Sequence, residues 1–247
     1  MPIWDEVISD TDRKVFEAAG WGRMAGFGSR PVLMVVDVNY NFVGDRPEPI
    51  LESIKRWRFS CGERGWLGVD AIKQVLEVAR SKRLPVIYTS NPRRSDGFDL
   101  GVWNLKSHRA SDDIDIEGHV GNDIVAEVAP RSSDIFIEKK KPSAFFGTPL
   151  VSYLVALQAD TIILTGTTTS GCIRASAVDA ISNNFRVVIP EQCVWDRGDL
   201  SHRVSLFDLH QKYCDVVDQA VVRQYLSGIP TGLFDSVFPT AVGETPA

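Results

Sequence analysis

The chain has 247 residues, 44% hydrophobic and 24% charged, a balance that excludes a disordered or fibrous protein and suits one large domain or two small ones. Its formal charge of −5 is mild and its Lys and Arg are scattered, which excludes the electrostatic footprint of a nucleic-acid or anionic-lipid binder. No apolar run approaches the roughly 18 residues of a membrane helix, so the expectation is a cytoplasmic protein with a small-molecule partner and neither nucleic acid nor membrane.

Residues 1–30 read as an N-terminal helical extension. They include "GWGRMAGFG" (20–28), which suggests a dinucleotide-binding oxidoreductase, but these glycines precede the first strand instead of following it, so the phosphate-cradling context is absent. The first strand, "PVLMVVD" (31–37), ends on Asp37. An acid at the carboxyl tip of a buried strand is costly unless partnered, and two readings stand, a general base and a loop hydrogen-bonder. Residues 38–68 and 90–121, rich in Gly, Pro, Arg, Asp and Trp, are too long for simple turns and read as loops that cap a site or meet a neighbouring subunit. Their side chains Trp57, Arg58, Trp66, Arg93, Arg94 and Trp103 have no position fixed by sequence, and Cys61 in the first loop has no assigned role.

Between the loops lies the helical pattern "GVDAIKQVLEVARSK" followed by the strand "LPVIYT" (84–89). The next strand, "DIFIEK" (134–139), carries Lys139 at its carboxyl end, whereas Lys140 and Lys141 read as a solvated turn. "TPLVSYLVALQ" is helical, "TIILTG" (161–166) is a strand, and "GTTTSGCIRASAVDA" (166–180) turns from that strand into a helix. Cys172 therefore stands near a first helical turn, where free N–H groups and the helix dipole favour a thiolate and leave donors for an oxyanion. The competing reading is a small buried cysteine beneath a cap made by Thr169 or Ser170. "FRVVIP" (185–190) and "CDVV" (214–217) are further strands, and "SHRVSLFDLHQKY" and "DQAVVRQYL" are helices. Residues 227–247 form a tail, either frayed or an arm on another subunit.

Strands alternating with helices give an α/β protein, a three-layer doubly wound parallel sheet of six strands. In the order 3-2-1-4-5-6 the tips bearing Asp37 and Cys172 are neighbours about 5 Å apart, and Lys139 is about 10 Å from the first strand, near enough to lean over the crevice. The histidines His108, His119, His202 and His210 occupy no strand end, and the last two read as surface or capping residues. Cys193 and Cys214 read as buried structural thiols. The cysteines are too dispersed for a zinc site or disulfide framework.

"VVDVNYNF", "EKKKPSAFFGT", "LTGTTTSGCIRASAVDA" and "CVWDRGDLSHRVSLFDLHQKYCDVV", in that order, resemble the isochorismatase-like cysteine hydrolases, in particular their N-carbamoylsarcosine amidase branch. The resemblance spans 31–226 and implies the 3-2-1-4-5-6 sheet and a catalytic Asp37, Lys139 and Cys172. It further implies a cis peptide between Thr167 and Thr168, an oxyanion hole from the N–H groups of Thr168 and Cys172, and Arg197 with Thr167 as substrate-binding residues, Arg197 on a carboxylate. Asp-x-His metal ligands mark the nicotinamide-hydrolysing relatives, and 38–68 contains no histidine; the isochorismate-cleaving relatives lack the cysteine. The resemblance thus implies hydrolysis of a linear amide or N-carbamoyl group on a small carboxylate-bearing metabolite, without metal or cofactor, by a homo-oligomer (dimer or tetramer). A maleamate-type amidase and a catalytically silent scaffold are the alternatives.

Overall fold

The computed structural model describes residues 2–107, 115–116 and 118–238. Six parallel strands form its centre: β1 (Pro31–Val36), β2 (Val86–Ser90), β3 (Ile135–Glu138), β4 (Thr161–Thr167), β5 (Arg186–Pro190) and β6 (Asp215–Val217). They lie in the order β3-β2-β1-β4-β5-β6, and the two-residue strand Val194–Trp195 pairs with the far end of β4. All residues of β1, β2 and β4 are buried, as runs rich in β-branched residues without polar alternation require of strands covered on both faces. Register couples Val36 to Thr89 on one side and to Gly166 on the other. The carboxyl ends of the three central strands thus finish at one level. Gly166 is needed there: it has φ +109°, and a Cβ would lie 2.1 Å from the Val36 carbonyl oxygen.

The covering helices are α1 (Asp10–Ala18), α2 (Glu63–Ser81), α3 (Leu150–Ala156), α4 (Arg174–Ser182), α5 (Asp199–Lys212) and α6 (Gln219–Gly228). The right-handed connection that parallel strands favour would set α2 on the face opposite α3, α4 and α5; α2 packs on α6 while α4 packs on α5. None of the described helices is long and apolar enough to cross a membrane.

The first long connection is shorter than the sequence pattern suggests, because α2 begins at Glu63 and runs through Gly65 and Gly68. Glycine disfavours helix, but a Cβ on Gly68 would meet the Trp195 ring at 2.1 Å, so the helix needs these small residues to lie against that indole. The rest of the connection is tied down: Trp57 is buried, and its indole N–H and Arg56 both donate to Asp45.

The glycine segment ahead of β1 has a structural use. The N–H groups of Ala25 and Gly26 donate to the Asp215 carboxylate at 3.0 and 2.7 Å, and those of Ser29 and Arg30 donate to Asp160. α1 is capped by Ser9, and Phe16 and Trp4 pack their rings against Phe207 of α5. Of the tail from 227, which the sequence leaves either frayed or reaching another subunit, residues up to 238 lie on the chain's own core. Phe234 is buried under the Arg30 guanidinium and Asp235 pairs with Arg83. The remainder lies outside the described residues, as does His108.

Candidate active site

Asp37 leaves β1 in the left-handed region, φ 54°, with its N–H bonded to the Thr89 carbonyl. The turn directs its carboxylate along the crevice, where the Thr89 hydroxyl donates to Oδ1 at 2.9 Å. From the other side of β2, Lys139 donates its backbone N–H to Ser90 and extends its side chain inward. The Lys139 ammonium lies 2.7 Å from Asp37 Oδ2, 3.4 Å from Cys172 Sγ and 3.2 Å from the Lys141 carbonyl. Both charged side chains are inaccessible, at 0% and 1% exposure. Burial alone pulls the Lys139 pKa down, but the Asp37 carboxylate and then the Cys172 sulfur more than offset it, and the net shift is upward. A fixed cation thus faces the sulfur at neutral pH. Lys141, read as solvated, instead donates to the carbonyls of Asp99 and Leu100, fastening the second long loop beside the lysine run.

Cys172 arrives by an irregular route. The Thr167–Thr168 peptide is cis, and Thr169–Ile173 form an irregular turn, kinked at Gly171 (φ −112°, ψ −105°), before α4 starts at Arg174. Neither Thr169 nor Ser170 caps the helix with its side chain. The Thr169 hydroxyl bonds to Nδ1 of His202 at 2.8 Å, and the Ser170 hydroxyl and N–H both bond to one oxygen of Asp196, at 2.6 and 2.7 Å. Asp196 also accepts from the Arg197 N–H, and it is buried. The loop that presents the thiol is therefore pinned from α5 and from the segment after Trp195. His202 is a buried residue, not a surface one, and burial lowers its pKa.

Arg197 is exposed, two residues beyond the Trp195 that pairs with the tip of β4. Its guanidinium donates to the Phe59 carbonyl at 3.3 Å, stands 5.8 Å from the Phe42 ring centre and lines a cavity of about 290 Å³ with Cys61, Arg64 and Asp199. The buried Cys61 thiol joins Arg197 to the β4 tip, since it borders both the guanidinium and the Thr167 hydroxyl. Its pKa is pushed up to about 11 by burial, against the pull of Arg197. Cys193 and Cys214 are buried too, and burial raises both thiols. Among the described residues, no group of three or more His, Cys, Asp or Glu is arranged to hold a metal ion.

Three residues of this neighbourhood carry no assignment from sequence, Cys61, Asn91 and Asp196, and His202 reads there as a surface or capping residue. Asp196 had the signal that marks Asp37, an acid ending an apolar strand, but its strand "VW" is too short to stand out.

The chain matches the Isochorismatase domain family over residues 32–221. It is 33% identical over 213 residues to the maleamate amidohydrolase of Pseudomonas putida, covering 83% of this chain and 91% of that protein. It is 30% identical over 244 residues to the N-carbamoylsarcosine amidase of an Arthrobacter species, covering 97% and 86%. The crystal structure of a cysteine hydrolase from Pseudomonas syringae superposes with a TM-score of 0.71 at 22% identity, over 83% of this chain and 96% of that one. That of the N-carbamoylsarcosine amidase from Thermoplasma acidophilum gives 0.59 at 25% identity, over 77% and 96%. With its doubly wound sheet and the family match across most of its length, the chain belongs to the isochorismatase-like hydrolase family.

Proposed function

We propose that the protein is a cysteine-dependent amidohydrolase acting on a linear amide or N-carbamoyl group of a small carboxylate-bearing metabolite. The observation that carries this reading is the buried Lys139 ammonium in contact with both the Asp37 carboxylate and the Cys172 sulfur. In the reaction Asp37 takes the thiol proton and Cys172 attacks the substrate carbonyl carbon. Negative charge moves to the carbonyl oxygen, held by the N–H groups of Thr168 and Cys172, while Lys139 keeps a compensating positive charge in place. The carbon–nitrogen bond breaks as Asp37 returns the proton to the leaving nitrogen, and ammonia or an amine departs. Water then cleaves the thioester, regenerating the thiol. Each turnover consumes one amide bond and one water, and needs no electron carrier.

The similarity to a maleamate amidohydrolase and an N-carbamoylsarcosine amidase, at comparable identity, supports the substrate class without choosing within it. Both named substrates carry a carboxylate, the group assigned to Arg197 with Thr167 beside it. Ammonia release from a panel of small amides and ureides tests the reading. Activity should appear with carboxylate-bearing members and be lost in Cys172→Ser, which retains the fold because the volume change is small. Activity of Cys172→Ser within tenfold of wild type would overturn the covalent mechanism.

A further inference from the structure

Asn91 follows β2 directly, between the tips that carry Asp37 and Lys139. It is 1% exposed, and neither its amide nitrogen nor its carbonyl oxygen has a hydrogen-bond partner among the described residues. Buried polar groups are nearly always paired, and a planar amide with both ends unpaired needs a reason. The backbone supplies its direction. Side chains two apart on an extended strand share a face, the Thr89 hydroxyl meets the Asp37 carboxylate, and the ladder continues past Thr89, since Ser90 accepts the Lys139 N–H. Asn91 is thus set on the Asp37 side of the sheet, one step further toward the mouth. The alternate residue Ser90 is already satisfied, donating to the Asn122 carbonyl.

We propose that Asn91 is the residue that recognises the substrate's carboxamide nitrogen; this rests on the amidohydrolase reading above. Its carbonyl oxygen accepts a hydrogen bond from the substrate –NH2, holding that nitrogen where Asp37, one strand away, delivers the proton it needs to leave. Its own –NH2 donates to the adjoining substrate oxygen. The pairing discriminates against an ester of the same acid, whose alkoxy oxygen has no hydrogen to give and would leave the asparagine oxygen buried and unpaired.

The test compares hydrolysis of a primary amide found in the panel with that of the methyl ester of the same acid, in wild type and in Asn91→Leu. The variant should lose about ten- to a hundredfold in kcat/KM for the amide and change less than threefold for the ester, so the amide-to-ester ratio falls. Asn91→Ser, small and polar, should shift the ratio the same way and serves where Asn91→Leu does not fold. An unchanged ratio overturns the inference, whether both activities fall together, as loss of a structural water site would make them, or neither does. A wild-type enzyme that cleaves the ester but no amide overturns the amidohydrolase reading itself, and this inference with it.

Discussion

The Asp37 carboxylate and the Lys139 ammonium, from strands on either side of β2, form an ion pair of 2.7 Å with almost no solvent exposure. Each is tolerable inside the sheet because the other is there.

Removing one partner should therefore cost stability as well as activity. Asp37→Asn leaves Lys139 charged and buried opposite a neutral group, a loss of about 3 to 5 kcal/mol. Replacing both, as Asp37→Asn with Lys139→Met, should recover much of that loss and yet stay inactive. Urea unfolding of the three proteins, read beside their turnover, checks this. A double variant as unstable as Asp37→Asn would show that the pair matters for packing more than for charge.

The four thiols should differ sharply in reactivity at neutral pH. Cys61, Cys193 and Cys214 are buried and burial pushes each thiol up, Cys61 to about 11. Only Cys172 has an ammonium 3.4 Å from its sulfur, which favours negative charge there. Brief iodoacetamide treatment followed by peptide mass analysis should find the label on Cys172 and activity falling in step with it. Equal labelling of Cys61 would count against a specially activated Cys172.

The central strands were readable because β1, β2 and β4 are short runs rich in β-branched residues; their order comes from the family resemblance, and once the order is set, the meeting of the Asp37, Lys139 and Cys172 tips follows from topology. The start of α2 was not readable. Gly65 and Gly68 look like helix breakers until Trp195, far along the chain, is seen against them. The same holds for Ser170 with Asp196 and for Thr169 with His202. Each pair joins segments whose adjacency only the folded chain creates, so local pattern suggested a helix cap where the structure has long-range anchors. Asn91 was hidden for a different reason, since an asparagine after a strand ordinarily signals a turn.

His202 predicts a pH effect on stability. Burial, countered in part by Asp196, lowers its pKa below the ordinary value of about 6.5. Above that pH it is neutral in both folded and unfolded chains and adds no slope. As pH falls through about 6.5, the unfolded chain takes up the proton first, so stability drops until the folded residue also protonates. Urea midpoints measured from pH 7.5 down should decline, and His202→Gln should remove part of that decline. Identical slopes in both proteins would show that His202 is protonated without cost to the fold.

Arg197 separates substrate recognition from chemistry. It is exposed, donates to the Phe59 carbonyl and borders the Cys61 thiol and the Phe42 ring, which leaves part of its guanidinium facing solvent. If the guanidinium clamps the substrate carboxylate with two parallel bonds, Arg197→Lys keeps the charge but loses the planar fork. For a carboxylate-bearing amide kcat/KM should then fall about ten- to a hundredfold. The amide of the same skeleton with a neutral group in place of the carboxylate never makes that contact, so its slower hydrolysis should hardly change. Stability should hardly move either, because an exposed arginine with these few contacts contributes little to the fold. Equal losses for the two substrates would mean that Arg197 supports the loop carrying Phe59 or the neighbouring Asp196 instead of the substrate, and the carboxylate would need another partner, for which Arg64 in the same cavity is the next residue to substitute.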